Sequence, residues 1–334
     1  MIEKITILCY IGYRFYVFDY KIKTTEIVKE NSMDFTSLLK PMQKSSIRIS
    51  YDENFNGKCP IGISKIGGMP DLPLDFQWYY YRGKSYEETI ASLPPELHKC
   101  INREDAQYNV AFPLSFLAQI NCEEASKYDK DSLLPSKGML YFFYELATMT
   151  WGFDPKDKGS AKVYYFPGEI SELNRTDFPS DLLDEYKLPE MPITFSTTNE
   201  LPCFEEFMQW HDGFEYKQWN EYDEAKNKIV QESEEENINK LLGYADLIQG
   251  GMLLNCEETT NGVYTGGISE IPEEKLRQYK ENCTKWQLLF QLDSISISDY
   301  EMLWGDVGRI YYYVNVDDLL KSNFDNCWLI LQCC

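Results

Sequence analysis

Two glutamines and two aspartates carry the chemistry that this sequence suggests. Gln119 lies in LSFLAQIN (114–121) and Gln291 in QLLFQLD (287–293), each between apolar neighbours. A glutamine on a half-apolar strand brings donors and an acceptor that must find partners. Its amide either bonds backbone across its sheet or flanks a ligand cleft. Asp293 ends the second of these strands, and Asp306 sits in WGD at 304–306. Two carboxylates in one cleft can divide acid and base roles, as in glycoside hydrolysis. Asp306 equally suits a turn in which it accepts from backbone N–H groups. Trp78, Trp151 and Trp304, with Trp286 and the Tyr-rich segments, are either a stacking platform for a sugar or peptide or the core packing of bulky strand formers. The candidate ligand residues are therefore Gln119, Gln291, Trp78, Trp151, Trp304 and Asp306. A hydrolase would rest on Asp293 and Asp306.

Other chemistries find little support. No G-x-S-x-G occurs, and the two histidines stand apart from any nucleophile motif: His98 follows Pro94-Pro95, and His211 lies between Trp210 and Asp212. IGGMP at 66–70 lacks the G-K-[ST] that completes a phosphate loop. The ten cysteines, at 9, 59, 100, 122, 203, 256, 283, 327, 333 and 334, include no C-x-x-C. With so few histidines, no metal site is expected, nor any cofactor. These cysteines read as reduced, mostly buried thiols of a cytoplasmic protein.

What must position these residues is visible in three matched landmarks. The strands around Gln119 and Gln291 agree position by position, with one apolar face and one face running polar, Leu, Gln, then Asn or Asp. Downstream, Gly138 opens GMLYFFYE and Gly308 opens GRIYYYVN, each a glycine turn feeding an aromatic strand. Upstream, Gly68-Met-Pro-Asp71-Leu72 matches Gly243-Tyr-Ala-Asp246-Leu247. Three pairs in one order predict an internal duplication. The expected fold is α+β, with mainly antiparallel sheets built from two diverged repeats about a pseudo-two-fold axis. The expected units are 1–45 as an N-terminal strand or hairpin extension, 46–185 as the first repeat and 186–334 as the second. A ligand cleft is expected between them.

Between the repeats, Pro167 to Pro202 reads as a connector packed over the surface. Phe204–Leu242, with Glu234, Glu235 and Glu236, reads as a solvated helix ending at Gly243. PEEKLRQYKENC (272–283) is a second helix, and Asn121 and Asn315 look like helix caps.

SKIGGMPDLP (64–73), Trp78, PLSFLAQIN (113–121), LPSKGMLYFFY (134–144), LLGYADLIQ (241–249), WQLLFQLDS (286–294), MLWGDVGRIYYYV (302–314) and DLLKSNFD (318–325) together resemble the YwqG-like family of bacterial proteins, a domain of unknown function. The resemblance covers about residues 60–332. It implies an α+β protein and gives no catalytic residues to carry over. Ala245 stands where the family pattern has proline.

Composition bounds the rest. The 334 residues carry 32 Lys+Arg against 54 Asp+Glu, a net charge of −22, and are 15% aromatic. So aromatic a chain is not mostly disordered, and one so acidic is a poor sequence-independent nucleic-acid binder. The apolar N-terminus is interrupted by Arg14 and Asp19 well short of the ~20 residues of a spanning helix; Ile5, Ile7 and Cys9 alternate as in a strand or hairpin. No membrane association is expected. The leading reading is a non-enzymatic binding module that takes a protein or a small ligand at the cleft between repeats. An acidic protein suits a basic partner, and a concrete version is a neutralising partner of a basic toxin or nuclease.

Overall fold

The computed structural model describes residues 4–11, 14–21, 34–83, 85, 87–88, 110–211, 213–230, 238–267, 269–297 and 300–333. His98, Cys100, Cys334 and the acidic run at 234–236 lie outside the described residues. The strands are, in chain order, β1 (Lys4–Ile11), β2 (Arg14–Lys21), β3 (Lys44–Tyr51), β4 (Lys65–Ile66), β5 (Asp71–Pro73), β6 (Tyr80–Arg82), β7 (Ala111–Pro113), β8 (Ser115–Asn121), β9 (Met139–Tyr144), β10 (Ala161–Phe166), β11 (Leu173–Arg175), β12 (Met191–Glu200), β13 (Lys240–Leu242), β14 (Trp286–Asp293), β15 (Ile295–Ile297), β16 (Tyr300–Met302), β17 (Gly308–Asn315) and β18 (Trp328–Cys333). Helices α1 (Phe35–Leu39), α2 (Cys122–Ala125), α3 (Phe204–Trp210), α4 (Trp219–Ile229), α5 (Leu253–Thr260), α6 (Glu273–Cys283) and α7 (Val316–Leu319) lie between them. Every pairing among the described strands is antiparallel.

β1 and β2 form a hairpin, as the N-terminal alternation predicts. Ten strands build one sheet in the order β10-β9-β8-β4-β12-β3-β13-β14-β17-β18. Its centre corrects the sequence reading. The stretch read as a connector contains β12, a ten-residue strand between β4 and β3. The prolines mark the strand's start, where a missing donor costs little; the run Ile193-Thr-Phe-Ser-Thr-Thr198 that follows is the stronger signal. Likewise, Gly243 ends no helix. α3 and α4 precede it, and it follows strand β13 at φ +72°. The helix at 273–283 and the caps do form. Asn121 accepts from Glu123 N and Glu124 N, and Asn315 accepts from Asp317 N.

Strict alternation fails at one matched point in each glutamine strand. The register of β8 on β9 slips between Phe116 and Ala118, and that of β14 on β17 between Leu288 and Phe290. A bulge puts two successive residues opposite one and resets which face follows. Leu117 and Leu289 therefore join the main core with Ala118 and Phe290, while Phe116 and Leu288 turn to the opposite faces.

The sheet curls so that its two ends pack on each other. Phe142 of β9 meets Phe290 of β14 with ring centroids 4.4 Å apart, and Tyr312 Oη donates to the Phe143 carbonyl at 3.0 Å. Phe76, Trp78 and Tyr81 cover one outer face over Phe116, Tyr141 and Phe143. On the other, Met252 and Cys256, with Cys283, cover Trp286, Leu288, Tyr311 and Tyr313. The seven cysteines whose side chains are described are all free. No helix among the described residues is long and apolar enough to cross a membrane.

Candidate functional site

Both glutamines are wholly buried, and each grips an aspartate turn. Gln119 Oε1 accepts from Asp71 N at 2.9 Å, and its Nε2 donates to Asp71 Oδ2 at 2.7 Å and to Ile63 O at 2.8 Å. Gln291 Oε1 accepts from Asp246 N at 2.9 Å, and its Nε2 donates to Asp246 Oδ2 at 2.8 Å and to Ile238 O at 2.8 Å. Tyr141 and Tyr311, the cross-strand partners of the two glutamines, donate to the carbonyls of Asp71 and Asp246. The turns match as well. Gly67 and Gly68 have φ of +60° and +65°; Leu242 and Gly243 have +61° and +72°. A leucine in this left-handed conformation is held there by its surroundings.

Each clamp carries a buried lysine opposite its glutamine, Lys65 on β4 and Lys240 on β13. Lys65 Nζ bonds Glu190 Oε2 and the Met69 carbonyl, both at 2.6 Å. Lys240 Nζ bonds Glu200 Oε1 at 2.9 Å and Asp246 Oδ2 at 2.7 Å. A cation this deep persists only when paired. An arginine completes each group. Arg175 places Nε on Asp71 Oδ1 at 2.5 Å, Nη1 on Glu190 at 3.3 Å and Nη2 on Cys59 O at 2.7 Å. Arg48 places Nη2 on Glu200 at 2.9 Å but reaches Asp246 only at 3.7 Å. Sequence reasoning missed both lysines, although KIGGMPD (65–71) beside KLLGYAD (240–246) carries the signal. Glu200, Arg48 and Arg175 arrive from other strands and Glu190 from the residue before β12, and they leave none.

The two groups differ in access. Asp71 is 0% exposed beneath β11, whereas the Asp246 side chain is 34% exposed. It opens into a cavity of about 340 Å³ walled by Arg48, Thr198, Glu200, Lys226, Lys240 and Leu247 among others. That volume is in the range of small-ligand sites. Burial raises the Asp246 pKa, but Lys240 and Arg48 outweigh it and hold the carboxyl below its usual value. Cys203 also lines the cavity; burial and then Glu206 push its thiol far up, away from the thiolate form. Behind the group, buried Glu206 on α3 has Oε2 without a hydrogen bond among the described residues. Its pKa is raised to about 7 by burial, partly offset by Lys44 and Lys240. Lys44 bonds Gln287 Oε1 at 2.8 Å, and burial lowers its pKa.

None of the six candidate ligand residues lines this cavity. Gln119 and Gln291 hold the aspartate turns from beneath. Trp304 is 0% exposed in the main core, and half-buried Trp151 packs against that core, its carbonyl accepting from Leu331 N at 3.1 Å. Trp78 donates Nε1 to Leu114 O at 2.9 Å within the aromatic face of the first half. Asp293 pairs with Arg309 at 3.2 Å, while Asp306 is exposed in the bend before β17. No cluster of three or more His, Cys, Asp or Glu able to hold a metal ion occurs among the described residues.

Residues 64–333 match the model of a domain of unknown function (DUF1963). Comparison with curated proteins gives no match.

Proposed function

The chain belongs to the DUF1963 family, and we propose that it is a non-enzymatic binding module made of two diverged copies of one unit, with its ligand in the cavity beside Asp246. The YwqG-like resemblance spans the same residues. Duplication is supported by the glutamine, aspartate and tyrosine bonds of the two clamps, which match one for one, and by the sheet register. Pro192 stands opposite Lys65 and Met191 opposite Ile66, as Arg48 stands opposite Lys240 and Ile47 opposite Leu241. Continued inward, this correspondence exchanges Thr194 and Ser50, which pair with each other at the sheet's centre. An approximate two-fold axis through that pair carries one half onto the other, with the first strand of each unit exchanged.

The observation that carries the binding reading is the difference between the copies. One charged group is closed by the chain's own Arg175, and the other faces a cavity. A duplicated structural device needs no opening, whereas a ligand site does. The cavity walls hold Arg48, Lys226 and Lys240 against Glu200, Glu205 and Asp246, a mixture suited to a polar ligand. Catalysis is poorly served. The carboxylate is a weakened base, the thiol is protonated, and no histidine is among the lining residues.

The test is a screen of small charged and zwitterionic compounds against the protein, read by 13C-methyl NMR. Supporting hits move the methyl signals of Leu247 and Ile248, both cavity-lining. A screen whose hits all move other methyls, or that has no hits, removes the reading.

A further inference from the structure

The first half shows what lies over a clamp of this kind when it is covered. There β5 is paired by β11, with Arg175 opposite Asp71, Asn174 opposite Leu72 and Leu173 opposite Pro73. Thr176 N extends the ladder to Pro70 O at 2.9 Å. The backbone of Asp71 is already used, its N–H by Gln119 and its carbonyl by Tyr141, so the covering strand bonds the flanking residues, Pro70 and Leu72. That is ordinary antiparallel alternation.

In the second half the residues that correspond to Pro70 and Leu72 are Ala245 and Leu247. Asp246 between them is used in the same way, its N–H by Gln291 and its carbonyl by Tyr311 and Arg309. No described strand covers this edge. The Ala245 carbonyl and both backbone groups of Leu247 have no hydrogen bond among the described residues, and both residues line the 340 Å³ cavity. Asp246 Oδ1, the counterpart of the oxygen that Arg175 Nε occupies on Asp71, has no partner among the described residues either, since Gln291, Lys240 and Arg48 all address Oδ2. Arg48 Nε is buried and has no hydrogen bond among the described residues.

We infer that the Ala245–Leu247 edge docks an extended segment of a partner polypeptide, which pairs as Leu173–Thr176 pairs with β5 and presents an arginine to Asp246. This rests on reading the cavity as a ligand site and names its occupant. Main-chain pairing supplies affinity, and the side chain facing Asp246 supplies selectivity. Arginine is chosen over lysine because Arg175 reaches three separate acceptors with one planar fork. The net charge of −22 favours the approach of a basic segment.

The chain supplies its own probe, a blocked peptide with the sequence of residues 171–178, SELNRTDF. Methyl NMR on the intact protein follows Leu247 and Ile248, with Leu72 and Leu173 reporting any exchange with β11. The expected result is a saturable shift of the Leu247 and Ile248 methyls. Replacing the peptide's arginine by alanine should weaken binding about tenfold, and by lysine nearly as much. N-methylating its threonine, whose N–H would meet the Ala245 carbonyl, should also cost about tenfold, which is 1.4 kcal/mol. Unmoved Leu247 and Ile248 methyls overturn the inference, as do alanine or N-methyl analogues that bind like the parent. Arginine amide binding as tightly as the peptide overturns the strand pairing and leaves a guanidinium site. If the peptide fails while compounds from the screen still move these methyls, the occupant is wrong and the cavity reading survives. If neither moves them, both fall.

Discussion

Gln291 holds Asp246 from both ends of its amide: Oε1 accepts the aspartate's backbone N–H at 2.9 Å, and Nε2 donates to its Oδ2 at 2.8 Å. The geometry fixes the carboxylate through Oδ2 and leaves Oδ1 without a partner among the described residues. Replacing Gln291 by Met keeps much of the volume and removes every bond. Such bonds to a charged group are worth about 1.5–3 kcal/mol. Gln291→Met should lower unfolding free energy by about 2–3 kcal/mol in urea titration, and Gln119→Met should do at least as much because Asp71 is wholly buried. A loss under 0.5 kcal/mol for both would mean that the clamps hold nothing.

Gly243 is a second tight point. A Cβ there would lie 2.4 Å from Glu200 Oε2 and 2.5 Å from Ser46 Cβ, on a backbone at φ +72°. The left-handed conformation costs a non-glycine residue about 1–2 kcal/mol, and the displaced Glu200 would leave Lys240 short of a partner. Gly243→Ala should therefore destabilise by more than the backbone strain alone, about 1–2 kcal/mol, as read from the urea midpoint.

Arg175 closes the first charged group. Removing one partner of a buried ion pair leaves an uncompensated charge and costs roughly 3–5 kcal/mol; since Arg175 is 19% exposed, the lower end applies. Arg175→Ala should cost about 3 kcal/mol, and Arg175→Lys should recover only a minor part of it, because a single ammonium cannot span three acceptors. Full rescue by lysine would contradict the fork.

Glu206 predicts a pH signature. Its folded pKa of about 7 lies above that of an exposed glutamate, so the folded state binds the extra proton. Stability is then lost as pH rises from about 4.5 towards 7 and stays lost above it, by about 3 kcal/mol for a shift of this size. Asp246 and Glu190 are lowered and act in the opposite direction at more acid pH, losing stability as pH falls below about 4. Glu206→Gln should flatten the slope between pH 5 and 7 in urea titrations and leave the acid limb in place. An unchanged slope would place the titration elsewhere.

Much of the fold was legible in short patterns. The glutamine strands, the glycine turn before β9, the asparagine caps and helix α6 all follow from local spacing and turn chemistry, whereas Gly308 is itself the first residue of β17. The bulges at Leu117 and Leu289 were not, because residue types tolerate a change of face that only the partner strand enforces. β12 was missed because its prolines outweighed the β-branched run behind them. The charged groups were half legible: Lys65 and Lys240 sit in the two similar motifs, but Glu190, Glu200, Arg48 and Arg175 come from distant segments, and their convergence is set by topology. For the tryptophans the sequence left a stacking platform and core packing open, and Trp304 and Trp78 spend their surface on packing.

The most direct test of one closed and one open aspartate group is carbodiimide footprinting of carboxyl groups, read by mass spectrometry on the folded protein. Modification of Asp246 with Asp71 unmodified, and protection of Asp246 by the SELNRTDF peptide, is the predicted result. Equal modification of the two aspartates, or labelling of Asp71 ahead of Asp246, would contradict it.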